Sequence, residues 1–135
     1  MNSSSRYNYR YYLGIILFLS VLLLNACNGG KYVIINGGIQ STSHSMNGSY
    51  SKFSGYYYRR VELRKQTKVY INFFSKTKRG SLTLELIDDN GNVLFKTNRN
   101  DEENERISID NSGMYKFEVI GKNHKGNFKV VWHIS

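Results

Sequence analysis

The sequence predicts an all-β domain, a single antiparallel β-sandwich of seven or eight strands that follows an N-terminal signal segment. From Tyr56 onward, short runs alternate apolar with polar residues, as strands do when one face is buried. The runs recur at intervals of roughly ten residues and are separated by Gly, Asn and Asp. No ten-residue window of this region has a convincing helical period.

The alternation assigns a buried face to each strand. The runs are YYYRRVELRK, KVYINFF, SLTLELI, NVLFKT, RISI, MYKFEVI and FKVVWHI. In the first run Val61 and Leu63 face one way, while Arg60, Glu62 and Arg64 face the other. The other inward positions predicted in this way are Val69, Ile71, Phe73, Leu82, Leu84, Leu86, Tyr115, Phe117, Val119, Phe128, Val130, Trp132 and Ile134.

The segments between the runs have turn chemistry. TKRGS contains Gly80 and KNHKGN contains Gly126, and both are expected to end strands. DDNGN contains the pair Asn90-Gly91, which favours a type I′ hairpin turn.

Residues 27–52 are rich in Gly, Ser and Asn and have no sustained period. They predict a polar tether with one possible short strand, Tyr32–Ile35. The β-sandwich is therefore expected to span residues 53–135.

The first 26 residues have the pattern of a secretory signal. Arg6 and Arg10 precede an apolar stretch, Leu13–Leu24, which is shorter than the roughly 20 residues of a membrane span. We therefore expect residues 1–26 to be a signal peptide.

Leu24-Asn25-Ala26-Cys27 resembles the lipobox of bacterial lipoproteins. The resemblance implies a diacylglyceryl group on Cys27, cleavage before it, and a protein attached through this lipid to the extracytoplasmic face of the cell membrane. Asn28, Gly29 and Gly30 would then form a flexible tether. The alternatives are an ordinary secreted protein with a stray thiol and an uncleaved apolar anchor.

The remaining 109 residues are enough for one domain. With a single cysteine in the sequence, this domain has no intramolecular disulfide. Its 17 basic and 10 acidic residues give a net charge of +7, which suits anionic lipids or cell-wall polymers better than nucleic acid as partners. A generic basic surface is the favoured interpretation, because the cations do not form a run of five or more.

Three segments, GSLTLELIDDNGNVLF, ISIDNSGMYKFEV and GNFKVVWHI, resemble small extracytoplasmic β-sandwich modules of bacterial lipoproteins. Their order also resembles the jelly-roll-like sandwiches of the GOLD and pre-peptidase C-terminal classes. Gly113-Met114-Tyr115 is similar to the tyrosine corner of immunoglobulin-like domains, in which a Tyr hydroxyl bonds to an upstream backbone group. The resemblance implies a non-catalytic binding or structural module.

Candidate catalytic and metal-binding residues are sparse. His44, His124 and His133 lack a metal-ligand spacing, with His124 expected in a turn and His133 on the outside of the last strand. The acidic residues of NDEENE are expected in a solvated loop, where a weakly bound cation is the alternative. DDNGN lacks the Gly and Glu of a calcium loop, and no nucleophile motif is present. The expectation is a protein that is not an enzyme, with no metal site and no cofactor.

The most promising surface residues are Tyr56, Tyr57, Tyr58, Arg59 and Arg60. Alternation places at least one of these tyrosines outward, where a ring beside guanidinium groups can stack on a sugar or hold an anionic polymer. The alternative is that neighbouring structure covers both faces of this strand. Tyr70 and Phe74 are also outward and are candidates to extend that face.

The predicted function is a membrane-anchored interaction or structural module, whose partner is a surface protein or wall polymer. The alternative is a carbohydrate or anionic cell-wall polymer binding module. Self-association through a sheet edge stays open.

Overall fold

The computed structural model describes residues 4–23 and 27–135, with side chains for residues 8–18 and 27–135. The described part contains one helix and seven strands. These are α1 (Ser4–Leu23), β1 (Asn28–Ile35), β2 (Gly38–Ser41), β3 (Ser45–Leu63), β4 (Lys68–Ile87), β5 (Val93–Thr97), β6 (Glu102–Ser108) and β7 (Gly113–Ile134). The side chains at positions 8–18 of α1 are exposed. Among the described residues, no helix has both the length and the apolar character needed to cross a membrane.

The seven strands form one antiparallel sheet in the order β1-β3-β7-β4-β5, with β2 also pairing β3 and β6 also pairing β4. The long strands β3, β7 and β4 form its centre, and each has register shifts midway along its length. In a straight strand, residues as far apart as Phe117 and Trp132 would be separated by about 50 Å. Their ring centroids are 4.3 Å apart, with 17° between the ring planes. The sheet therefore folds back on itself, which confirms the predicted antiparallel β-sandwich.

The fold divides the sheet into two layers that share the three long strands. The first layer contains β1, residues 54–63 of β3, residues 113–121 of β7, residues 81–87 of β4, and β5. The second layer contains β2, residues 45–53 of β3, residues 124–134 of β7, residues 68–77 of β4, and β6.

The core lies between the layers, and the predicted inward residues form most of it. All are buried except Ile134, which is partly buried and packs against the others. Met46, Tyr50, Phe53, Tyr57 and Ile109 complete the core. The tyrosine corner is also confirmed, because the Tyr115 hydroxyl donates to the backbone carbonyl of Asn111 at 2.5 Å.

The predicted strand ends at Gly80 and Gly126 are wrong, since both glycines lie inside long strands at the points where these bend. Gly126 has a φ of 146°, and a Cβ there would lie 1.8 Å from the carbonyl oxygen of Lys76. The glycine thus allows two backbones to approach closely while the strands continue. This replaces several short predicted strands with three long ones.

The turn between β4 and β5 also differs from the prediction. Gly91 has a φ of 82°, whereas Asn90 is not in the left-handed region, so the pair does not form a type I′ turn. Instead, Asp88 Oδ1 accepts hydrogen bonds from the backbone N–H of Asn90 at 2.9 Å and of Asn92 at 2.8 Å. The side-chain hydrogen bond from Asn92 contributes most to lowering the pKa of Asp88.

The polar tether predicted for residues 27–52 is mostly strand, because β1, β2 and the start of β3 occupy this segment, and the predicted short strand Tyr32–Ile35 lies within β1. Asn28 pairs with Arg59 and Ile35 with Lys52, so residues 28–30, which were expected to form a flexible tether, belong to the sheet. Small residues are needed in this segment where atoms of neighbouring strands approach the backbone closely. A Cβ on Gly48 would lie 2.6 Å from the ring of Phe128. Close packing of the backbone therefore explains a composition that suggested a flexible linker.

Candidate functional site

The predicted run of three tyrosines and two arginines is divided between the two faces of β3. Tyr56 is 39% exposed, and Tyr58 and Arg60 share its outward side of the first layer. Tyr57 is buried in the core, and Arg59 is half-buried on the same inward side. At least one tyrosine is thus outward, as predicted, but the five residues do not form one surface.

The buried side chain of Tyr57 contacts residues of β1 and β2. Its hydroxyl accepts a hydrogen bond from Asn28 Nδ2 at 2.9 Å and lies 2.8 Å from Ser41 Oγ. The ring of Tyr32 packs edge-on against it, with 5.8 Å between centroids. Tyr57 therefore joins the outer strands β1 and β2 to β3.

The ring of Tyr58 is already occupied by cations of this chain. The guanidinium carbon of Arg60 lies 5.5 Å from the ring centroid and Lys116 Nζ lies 5.1 Å from it. Both distances suit cation–π contacts. The hydroxyl lies against β1, since a Cβ on Gly29 would be 2.7 Å from it. Tyr58 thus offers less free ring surface than its position in the sequence suggests.

Tyr70 and Phe74 do not extend the Tyr56 face. They are 40% and 38% exposed on the outer face of the second layer, across the sandwich from Tyr56. Here Tyr70 borders a groove of about 360 Å³, which we name the Tyr70 groove. Its lining residues are Tyr70, Ile71, Asn72, Asn104, Glu105, Arg106, Val131 and His133.

Three adjacent strands place their side chains in rows across the Tyr70 groove. Tyr70 of β4 pairs with Arg106 of β6 and with His133 of β7. The Tyr70 and His133 ring centroids are 6.4 Å apart, with 38° between their planes. A hydrogen bond from Arg106 is the largest contribution lowering the pKa of Tyr70. The groove therefore has two exposed rings beside a guanidinium group.

The next row adds amide groups. Asn72 pairs with Asn104 of β6 and Val131 of β7. Asn72 Nδ2 donates to Glu102 Oε1 at 2.9 Å and to Asn104 Oδ1 at 2.5 Å. These contacts hold the amides in place beside the rings, so hydrogen-bonding groups border an aromatic surface.

The three histidines occupy different environments. His44 and His133 are exposed, and His133 is on the outside of the last strand as predicted. The prediction of a turn at His124 is wrong, because this residue is fully buried within β7. Both of its ring nitrogens have hydroxyl partners, Tyr50 at 2.6 Å and Thr77 at 2.8 Å. Burial lowers the pKa of His124 and raises that of Tyr50.

The acidic run is not a loop, because Glu102, Glu103 and Glu105 lie in β6. Glu102 accepts from Asn72, and Glu103 accepts from the hydroxyl of Thr97. Within the described residues, no group of three or more His, Cys, Asp or Glu side chains is arranged to hold a metal ion.

Cys27 is exposed and its thiol is free. Its carbonyl accepts a hydrogen bond from the backbone N–H of Arg60 at 2.7 Å, so it adjoins the start of β1. Leu24, Asn25 and Ala26 of the predicted lipobox lie outside the described residues.

No protein-family model matches the chain. No curated protein matches it either. Among solved structures, it is similar to the enzymatically active domain of tailspike protein 4 of bacteriophage CBA120, with a TM-score of 0.48 and 8% identity over 82% of this chain. The chain spans 20% of that tailspike chain.

Two further structures are similar over most of both chains. TmCBM61, solved in complex with β-1,4-galactotriose, has a TM-score of 0.47 and 16% identity over 80% of this chain and 86% of its own. The pre-peptidase C-terminal domain of a collagenase from Bacillus anthracis has a TM-score of 0.44 and 15% identity over 78% of this chain and 89% of its own. The pre-peptidase C-terminal class is one of the two that the turn and core motifs of the sequence resemble.

Reasoning from sequence missed the convergence of Arg106, Asn104 and His133 on Tyr70. The outward positions of Tyr70 and His133 were available from the alternation of β4 and β7. Nothing in the local pattern, however, indicated that β4 lies between β6 and β7.

Proposed function

We propose that this protein is a lipid-anchored carbohydrate-binding module and that the Tyr70 groove binds the sugar. The observation that carries the proposal is the row of Arg106, Tyr70 and His133 on three adjacent strands, beside a groove of about 360 Å³. A pyranose has apolar C–H faces, which stack on exposed rings, and a rim of hydroxyl groups, which need donors and acceptors. Tyr70 and His133 supply rings, while Asn72, Asn104 and Arg106 supply polar groups.

The groove suits binding without catalysis. Three of its acid–base groups, Tyr70, Glu105 and His133, are all exposed, and none is buried. None has the buried setting in which catalytic acids and bases are usually activated. The rigid strands that carry the side chains favour a preformed site.

The test is titration calorimetry of the full-length protein in detergent, with neutral oligosaccharides first selected on an array. Tyr70→Ala should weaken binding by about tenfold, corresponding to about 1.4 kcal/mol. Tyr56→Ala is the matched control, because Tyr56 has nearly the same exposure on the opposite layer. It should change affinity less than about twofold, or about 0.4 kcal/mol.

The outcome that opposes the proposed site is loss of binding in Tyr56→Ala with full binding in Tyr70→Ala. It would move the ligand to the surface of Tyr56, Tyr58 and Arg60. Absence of binding to every neutral sugar would overturn the carbohydrate proposal itself.

The anchor proposal places the protein at the extracytoplasmic face of the cell membrane through a diacylglyceryl group on Cys27. Exposure of Cys27 and its position one residue before β1 support it. Two acyl chains give durable attachment, whereas one gives only marginal binding. Because the Cys27 carbonyl accepts a hydrogen bond from the backbone N–H of Arg60, we expect the lipid to be attached close to the sheet, without a flexible linker between them.

The mass of the intact protein extracted from membranes tests the anchor. We expect the mass of residues 27–135 with a diacylglyceryl group in place of the thiol hydrogen of Cys27, and no such mass in the Cys27→Ser variant. An unmodified full-length mass would refute lipidation.

A further inference from the structure

A cluster of unpaired cations lies where the three long strands bend. β3 has a register shift after Tyr50, β4 has shifts between Thr77 and Ser81, and the matching part of β7 is residues 121–126. Six exposed basic residues occupy these bends, and we name them the crease patch. They are Lys52, Lys76, Lys78, Arg79, Lys122 and Lys125.

Pairing between strands brings two of these charges directly opposite each other, although the sequence separates them. Arg79 is the direct partner of Lys125, and Ser81 is the partner of Lys122. Cross-strand partners lie about 5 Å apart at Cα, and like charges in such pairs are destabilising. The fold thus holds an unfavourable arrangement at its bend.

Little within the chain neutralises this charge. Across residues 27–135, the one ion pair joins Lys96 to Glu85, and neither belongs to the crease patch. Asp101 contacts the adjoining part of β4 through its backbone, because its carbonyl accepts a hydrogen bond from the backbone N–H of Ser75. None of the six cations has an ion-pair partner among the described residues, and an external anion would supply one.

We propose that the crease patch binds a linear polymer of repeating phosphate groups. This second site is independent of the Tyr70 groove. Tyr50 and Phe53, which lie on β3 at the bend, are buried, so their rings are not available for stacking on nucleobases. Lysine binds phosphate as a point charge on a flexible stem, which suits a chain without fixed geometry.

The position along β1 favours a soluble polymer over a lipid surface. Asn28 and Ile35 mark the ends of β1, and Ile35 pairs with Lys52 of the crease patch. The strand spans about 25 Å at 3.3 Å per residue. If Cys27 carries the proposed lipid, the crease patch lies at the end of β1 away from the anchor.

Binding of long-chain inorganic polyphosphate to the full-length protein tests the proposal. The test variant is Lys78→Gln, Arg79→Gln and Lys125→Gln combined. The matched control, Arg64→Gln, Lys65→Gln and Lys68→Gln, removes the same charge from exposed positions around the loop between β3 and β4. The test variant should bind polyphosphate at least about tenfold more weakly. The slope of log K against log salt concentration should also be smaller in magnitude by about two, because three charges are removed and roughly 0.7 counterions are released per charge on a single-stranded polyanion.

A second readout is stability at low salt. Arg79→Gln should raise the melting temperature, since it removes a like-charge pair, whereas Arg64→Gln should leave it nearly unchanged. Equal loss of polyphosphate binding in both triple variants would overturn the site, because net charge alone would then explain it.

Two other ligands provide contrary outcomes. Tighter binding of single-stranded DNA with dependence on base sequence would overturn a phosphate-only polymer. Crease-dependent binding of the Cys27→Ser protein to phosphatidylglycerol vesicles, without polyphosphate binding, would assign the patch to a lipid surface. Neither result changes the effect of Tyr70→Ala on sugar binding. Failure of the polyphosphate proposal is therefore distinct from failure of the carbohydrate proposal.

Discussion

His124 and Tyr50 join two of the bent strands inside the core, with 2.6 Å between His124 Nδ1 and the Tyr50 hydroxyl. Thr77 of the third bent strand lies 2.8 Å from the other ring nitrogen. One buried imidazole thus connects β3, β4 and β7 where the sheet folds over. A neutral imidazole, with one donor and one acceptor nitrogen, satisfies both hydroxyl partners.

The first prediction is a loss of stability in mild acid. Burial lowers the pKa of folded His124 below its ordinary value of 6.5, so the unfolded chain binds more protons in this range. The contribution of His124 to the free energy of unfolding should be complete above pH 6.5 and decline as the pH falls through the folded pKa. Urea unfolding between about pH 8 and pH 5 measures it.

Two variants identify the responsible histidine. His124→Gln should remove this part of the pH dependence, while His133→Gln, on the exposed outer face, should retain it. A pH profile that flattens only in His133→Gln would contradict the assignment to His124.

The second prediction concerns the stacked pair that joins the layers. Trp132→Ala should lower the free energy of unfolding by about 3–5 kcal/mol, because it leaves a cavity beside Phe117. Phe74→Ala, on the outer face of β4, should cost much less because the ring is 38% exposed. Chemical denaturation followed by circular dichroism compares them, since Trp132 is the only tryptophan. Equal losses would mean that the layers do not depend on this stack.

The third prediction tests the bend of β7. Gly126→Ala should destabilise the protein by at least about 2 kcal/mol, because the left-handed backbone and the close Lys76 carbonyl both oppose a side chain. Gly38→Ala is the control, since a Cβ there meets nothing within 4 Å. Thermal unfolding should separate the two variants clearly. Similar melting temperatures would show that Gly126 is not required for the bend.

The inward side chains were predictable from sequence because side chains in a strand alternate with a period of two, which is a local property. Leu82, Leu84 and Leu86 are buried for this reason, and so are Phe117 and Val119. The corner formed by Tyr115 and Asn111 was predictable too, because its partners are four residues apart. Gly80 and Gly126 were misleading, since a glycine signals a change of backbone direction without showing whether pairing continues through it.

From Tyr56 onward, the sequence by itself determined that the chain forms strands and which face of most of them is buried. Only the tertiary structure decided where those faces lie relative to one another. Tyr56 and Tyr70 are both outward by local alternation, yet they occupy opposite layers because β3 and β4 contribute different halves to each layer. Arg79 meets Lys125 for a similar reason. Such neighbours depend on the long-range register of backbone hydrogen bonds, which local alternation does not specify.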